Sequence, residues 1–242
     1  MNELVARTCA AYAGCRSYRD MGEAAVMVAR GSKSWQRATC RFPFQTAFVR
    51  PARFLFEWKA MGVGPHEEWP HAALWRNARG LFAWETKVEL SEPALASAGS
   101  LAEVLERWSP ACGGAATLVP RLLGVLDGAS PLDGLQPAGE DEIDGVRTRR
   151  LEKSLVGGVF VAWIALERPL VLRTFSRLRH SPERDAALRE LAARAELSPE
   201  LRQLVADTPA VASERMVETT LFLRPELDPA LDDSAFELTP PR

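Results

Sequence analysis

Val159-Phe160-Val161-Ala162-Trp163-Ile164-Ala165-Leu166, then Glu167-Arg168-Pro169, then Leu170-Val171-Leu172-Arg173-Thr174-Phe175-Ser176-Arg177-Leu178 is the stretch whose reading decides the fold. Its β-branched and aromatic residues favour strands on both sides, and Pro169 suits a turn or strand start, where no ladder N–H is needed. A central β-hairpin is therefore predicted. Just upstream, Glu142-Ile143-Asp144-Gly145-Val146 sets an Asp-Gly pair between two more strand-like runs. Both residues tolerate positive φ, which makes the pair a strong short-range hairpin signal. The middle of the chain thus reads as an antiparallel meander, with Gly157-Gly158 inside it as an expected bulge.

Toward the N-terminus, Leu4, Thr8, Ala11, Tyr12 and Cys15 recur at helical spacing and predict an amphipathic helix over residues 3–16. The period then changes to two. Ala24, Val26 and Val28 mark one strand, Phe42, Phe44 and Phe48 a second, and Phe54, Phe56 and Trp58 a third. Trp69–Trp75 and Leu81–Val88 follow as strands, with Asn77-Ala78-Arg79-Gly80 as the turn between them. Next, Ser100 caps a short helix with Leu101, Val104, Leu105 and Trp108 on one face. Leu118, Leu122, Val125 and Leu126 mark another helix, expected to begin near Val119 because proline, here Pro120, fits only a first turn.

Downstream of the meander, Ser181-Pro182-Glu183 and Ser198-Pro199-Glu200 each combine a cap, a proline at the first helical position and an acid at the positive end of the helix dipole. They predict a helical insertion at about 181–210. A last strand, Arg215–Leu223, and an acidic segment, Glu226–Asp233, complete the chain. Nothing marks a boundary, so residues 1–242 are expected to form one domain.

Composition narrows the function. The 242 residues are 47% hydrophobic and 26% charged, with a net charge of −2. That balance argues for a globular fold and against a nucleic-acid partner. Cys9, Cys15, Cys40 and Cys112 have no zinc-ligand spacing and read as buried free thiols. Leu155–Leu166, the longest apolar run, is too short to span a bilayer. His66, His71 and His180 form no metal pair, and neither G-x-S-x-G nor a phosphate loop occurs. Glu140, Asp141, Glu142 and Asp144 read as an exposed acidic turn rather than a Ca²⁺ site. An enzyme, a cofactor and a metal are not expected, and a hydrolase is the weakest of the functional readings. Met1-Asn2-Glu3 lacks the features of a secretion signal, which implies a cytoplasmic location if Met1 is the native start.

Seven tryptophans and ten phenylalanines on so many strands are a surplus with two open readings. They fill an ordinary core, or they line an apolar cavity on the concave side of a curved sheet, lidded by the short helices. Phe44, Phe48, Phe54, Phe56, Trp58, Trp75 and Trp163 are the candidate lining; Leu101, Leu105, Trp108, Leu122 and Leu126 are the candidate lid. Arg147, Arg149, Arg150, Arg173 and Arg177 could meet a lipid head group, or sit on a solvated outer face.

Several strings also carry a family resemblance: Tyr18-Arg19-Asp20-Met21-Gly22, Phe44–Pro51 with Phe54-Leu55-Phe56-Glu57, and Gly139–Gly145. It continues through Trp163-Ile164, Leu170-Val171-Leu172-Arg173, Glu218–Phe222, Asp228-Pro229 and Phe236–Pro241. Together they resemble the outer-membrane lipoprotein-sorting protein family, with its LolA-like fold. The resemblance implies an α+β, mainly antiparallel architecture: one strongly curved sheet forming an incomplete β-barrel, with helices covering the concave face. It also implies a non-enzymatic carrier or sensor of the periplasm or cell envelope, binding a lipid acyl chain or a lipoprotein. The alternative is a regulatory module that binds an envelope protein partner on the same fold.

Overall fold

The computed structural model describes residues 2–30, 36–61, 70–86, 96–97, 100–110, 112–180, 186 and 215–237. Helix α1 (Glu3–Gly14) is capped by Asn2, whose side chain accepts a hydrogen bond from the Leu4 amide. Five strands then run as an antiparallel meander: β1 (Ser17–Arg30), β2 (Gln36–Val49), β3 (Arg53–Lys59), β4 (His71–Asn77) and β5 (Gly80–Glu85). The two-residue strand β6 (Ala96–Ser97) ends this half, and helices α2 (Leu101–Trp108) and α3 (Ala115–Leu122) follow. The second half is β7 (Gln136–Ile143), β8 (Val146–Leu155), β9 (Gly158–Ala165), β10 (Val171–His180) and β11 (Arg215–Phe222). A short β12 (Glu226–Leu227) and a 3₁₀ turn, Asp233–Phe236, come last.

The strands make one sheet in the order β6-β5-β4-β3-β2-β1-β11-β10-β9-β8-β7, with β12 added alongside β1. The β1–β11 pairing joins the two halves, and the sheet is not closed into a barrel. This is the curved, open antiparallel sheet with helices on its concave face. Both central hairpins form. Asp144 and Gly145 take φ of 50° and 79° in the two-residue turn from β7 to β8, the geometry that favours an Asp-Gly pair.

The period-two pattern sorts side chains onto two faces. Tyr18, Ala24, Phe44, Phe48, Phe54, Phe56, Trp58, Ala72 and Leu74 join the buried residues of α1, α2 and α3 in one large core. Ala47, Leu55, Ala73, Trp75 and Trp84 form a smaller core on the other face, closed by Phe236 of the 3₁₀ turn. The resemblance gave no hint of this second core.

Three expectations change. Gly157-Gly158 is no bulge: Val156-Gly157 makes the β8–β9 turn, with Gly157 at φ 75°. A Cβ on Gly158 would lie 2.0 Å from the Arg177 carbonyl oxygen, so close strand approach is what demands glycine there. Helix α3 starts at Ala115, after left-handed Gly114, rather than near Val119, and Pro120 lies inside it. A helix of 8 residues that stops two positions later loses only the Pro120 bond to Ala116, so tertiary burial overrides the proline rule. Cys40 is exposed and Cys9 half-buried, whereas Cys15 and Cys112 are buried; all four are free. The helical insertion at about 181–210 lies almost wholly outside the described residues, as do His66 and Trp69.

Candidate functional site

Strands β2 and β3 present rings at alternate positions, broken on β2 by Thr46, because alternate positions face the helices. Phe44, Phe48, Phe54, Phe56 and Trp58 are all buried there, and the Phe44 and Phe56 rings lie 6.1 Å apart. Leu101, Leu105 and Trp108 of α2, Leu122 of α3, and Leu126 just beyond it enter the same core. Ser100 starts α2 by accepting from the Glu103 amide at 3.2 Å, which sets the apolar face of the helix over the rings. The seven-ring candidate set is divided, however. Trp75 and Trp163 are not on this face: Trp75 stacks on Phe82 in the second core. Trp163 points outward from β9, donating from Nε1 to Asp141 at 2.7 Å, with the Arg173 guanidinium over its ring. In both strands the neighbouring residue, Leu74 or Ile164, takes the inward position.

Next to the packed rings, a groove of about 190 Å³ opens beneath the α2–α3 connection. Leu118 lines it from α3, and Phe160, Thr174, Ser176, Thr219 and Leu221 line it from β9, β10 and β11. Gly113, at φ 62°, seats the connection on the sheet, since a Cβ there would meet Val26 and Thr219 side chains at 2.9 Å. These lining residues escaped the sequence reading, which followed large rings; the signal was the alternation of small polar and apolar residues along β10 and β11.

The concave side also holds a polar cluster. Asp20 and Tyr18 are fully buried, the Tyr12 hydroxyl accepts from the Val171 amide at 3.3 Å, and Asp20 Oδ1 accepts from the Arg224 amide at 2.7 Å. Asp20 Oδ2, the Tyr18 hydroxyl and Thr46 Oγ1 have no hydrogen-bond partner among the described protein atoms. Burial pushes the Asp20 carboxyl up to about 6, against the pull of the Arg224 N–H. The folded state therefore holds this proton more tightly than the unfolded chain. Its stabilising contribution is complete below the unfolded value near 3.8 and is lost as pH rises through about 6. Asp20→Asn is expected to match the wild type near pH 4 and to exceed it by about 2–3 kcal/mol at pH 7.5, read from urea midpoints across pH. A pH-independent difference between the two proteins would reject the assignment.

The remaining groups have structural roles. Burial raises the Cys15 thiol, and it raises that of Cys112 to about 11, so neither is poised as a nucleophile. Glu140 pairs with Arg147 and Arg149, Asp141 with Arg150, and Glu218 with Arg177. Among the described residues no cluster of His, Cys, Asp and Glu has metal-binding geometry, and no helix is long and apolar enough to cross a membrane.

The architecture is an open, curved antiparallel sheet whose concave face is covered by helices. No family model matches the sequence, and no curated protein matches it. Solved structures similar to it include a DUF1329 family protein from Desulfovibrio piger, at 12% identity and TM-score 0.34, covering 97% of this chain and 95% of that one. A putative outer membrane lipoprotein-sorting protein domain from Vibrio parahaemolyticus is 10% identical at TM-score 0.35, with 96% and 94% covered. A LolA superfamily protein from Nitrosomonas europaea is 13% identical at TM-score 0.29, with 97% and 96% covered.

Proposed function

We propose that this protein is a non-enzymatic lipid- or lipoprotein-binding protein of the cell envelope, which takes an acyl chain between α3 and strands β9–β11. The supporting observation is the groove beneath the α2–α3 connection, with Leu118, Phe160 and Leu221 as its apolar walls. Each methylene that leaves water there contributes about 0.8 kcal/mol. At about 190 Å³ the groove is smaller than the ~300 Å³ at which small-ligand pockets begin, so a long chain requires α2 and α3 to lift. Gly113 and Gly114, at φ 62° and 85°, form the backbone joint for that movement. The Arg19–Glu226 and Arg177–Glu218 ion pairs, at 2.6 Å each, lie outside the lining of that groove.

The test is native mass spectrometry for co-purifying lipid, followed by titration of delipidated protein with a fatty-acyl probe. Buried Trp108 on α2 is the reporter, and its fluorescence is expected to change as the lid lifts. Ser176→Trp, which fills the groove, is expected to weaken binding at least tenfold. Delipidated protein that neither binds the probe nor changes its fluorescence would overturn the proposal.

A further inference from the structure

The opposite face of the sheet carries a second, larger opening. Strand registers align one outward residue per strand across it: Phe222 beside Glu23, and Glu23 beside Pro43. The adjacent row runs Met21, Gln45, Glu57. Between these rows lies a groove of about 490 Å³, within the ~300–1,000 Å³ range of small-ligand sites.

Its lining is both greasy and charged. Met21 is 60% exposed and Phe222 42%, on neighbouring strands either side of Glu23, so two large apolar side chains face water together. Glu57 receives hydrogen bonds from Gln45 Nε2 and from His71 Nε2, the latter at 2.6 Å, and these donors hold its carboxyl below the usual range. Each carboxylate oxygen keeps a further acceptor site. Glu23 is a second acid in the groove, met by Arg41 only at 3.5 Å. Arg224 lies at the other end; its backbone is fixed by Asp20, and its guanidinium makes no ion pair with another described residue.

We propose that this convex groove binds an amphiphile whose head group carries an ammonium and an acidic group together. A purely anionic head would meet Glu57, and a purely cationic one would meet Arg224. A zwitterionic head satisfies both ends. Its ammonium lies against Glu57, its phosphate or carboxylate takes a charge-assisted bond from Arg224, and its tail covers Met21 and Phe222.

The site is independent of the concave groove, and the experiment separates the two. Lauroyl lysophosphatidylethanolamine and lauroyl lysophosphatidylglycerol are titrated by calorimetry into the Ser176→Trp protein, whose concave groove is filled. The ethanolamine lipid is expected to bind more tightly than the glycerol lipid. Glu57→Gln weakens the ethanolamine lipid at least tenfold and leaves the glycerol lipid unchanged, whereas exposed Arg224→Gln weakens both at least fivefold. Equal affinity for the two lipids, or wild-type affinity in both variants, overturns the convex site and leaves the concave reading untouched.

Discussion

Phe56→Ala is expected to lower the unfolding free energy by about 3–5 kcal/mol, the usual cost of emptying a phenylalanine site in a core. Phe56 is fully buried on β3, pairs in register with Thr46 of β2 and Leu74 of β4, and lies against the Phe44 ring. Helices cover it, so the lost volume opens to no solvent and the neighbours must collapse or leave a void. For a chain of this length the melting temperature falls by about 2–4 °C per kcal/mol, a shift of roughly 10 °C. Urea and thermal unfolding provide the measurement. A loss below about 1 kcal/mol would mean that the ring lines a hollow, and the concave face under α2 would then be a cavity and not a core.

Arg50→Ala is expected to cost about 2–4 kcal/mol, a large effect for a side chain that is partly exposed. Its guanidinium donates to the carbonyls of Cys15 at 2.8 Å, Ala13 at 2.6 Å, Tyr12 at 3.4 Å and Leu123 at 2.9 Å, while lying 5.1 Å from the Phe48 ring centre. One cation thus closes the C-terminal ends of α1 and α3, where carbonyls lack helical partners, onto the β2–β3 turn. Arg50→Lys is expected to recover less than half of the loss, because an ammonium cannot reproduce a planar fork that bonds four carbonyls. Full recovery in the lysine variant would show that charge alone sufficed.

Several elements were legible in the chain because their causes are local. The Asp144-Gly145 turn depends on two residues that accept positive φ, and the Ser100 cap on one hydroxyl beside one amide. The alternation of Phe54, Phe56 and Trp58 shows that these three share a face, since strand geometry allows nothing else. The Arg50 hub was not legible: its four carbonyl partners come from residues 12–15 and from residue 123, with no common pattern.

Which face is the inner one was decided only by tertiary structure. Alternation makes Trp75 and Leu74 opposite, and Trp163 and Ile164 opposite, but the pairing register chooses between them. Because Phe56 pairs with Leu74, Trp75 aligns with Leu55 and is carried to the second core under Phe236. The convex groove arises in the same way, from residues on five strands set side by side by hydrogen-bond register. The amino-acid sequence by itself determined the strands, turns and caps, because those depend on neighbours along the chain. The two faces and both grooves depend on neighbours across it.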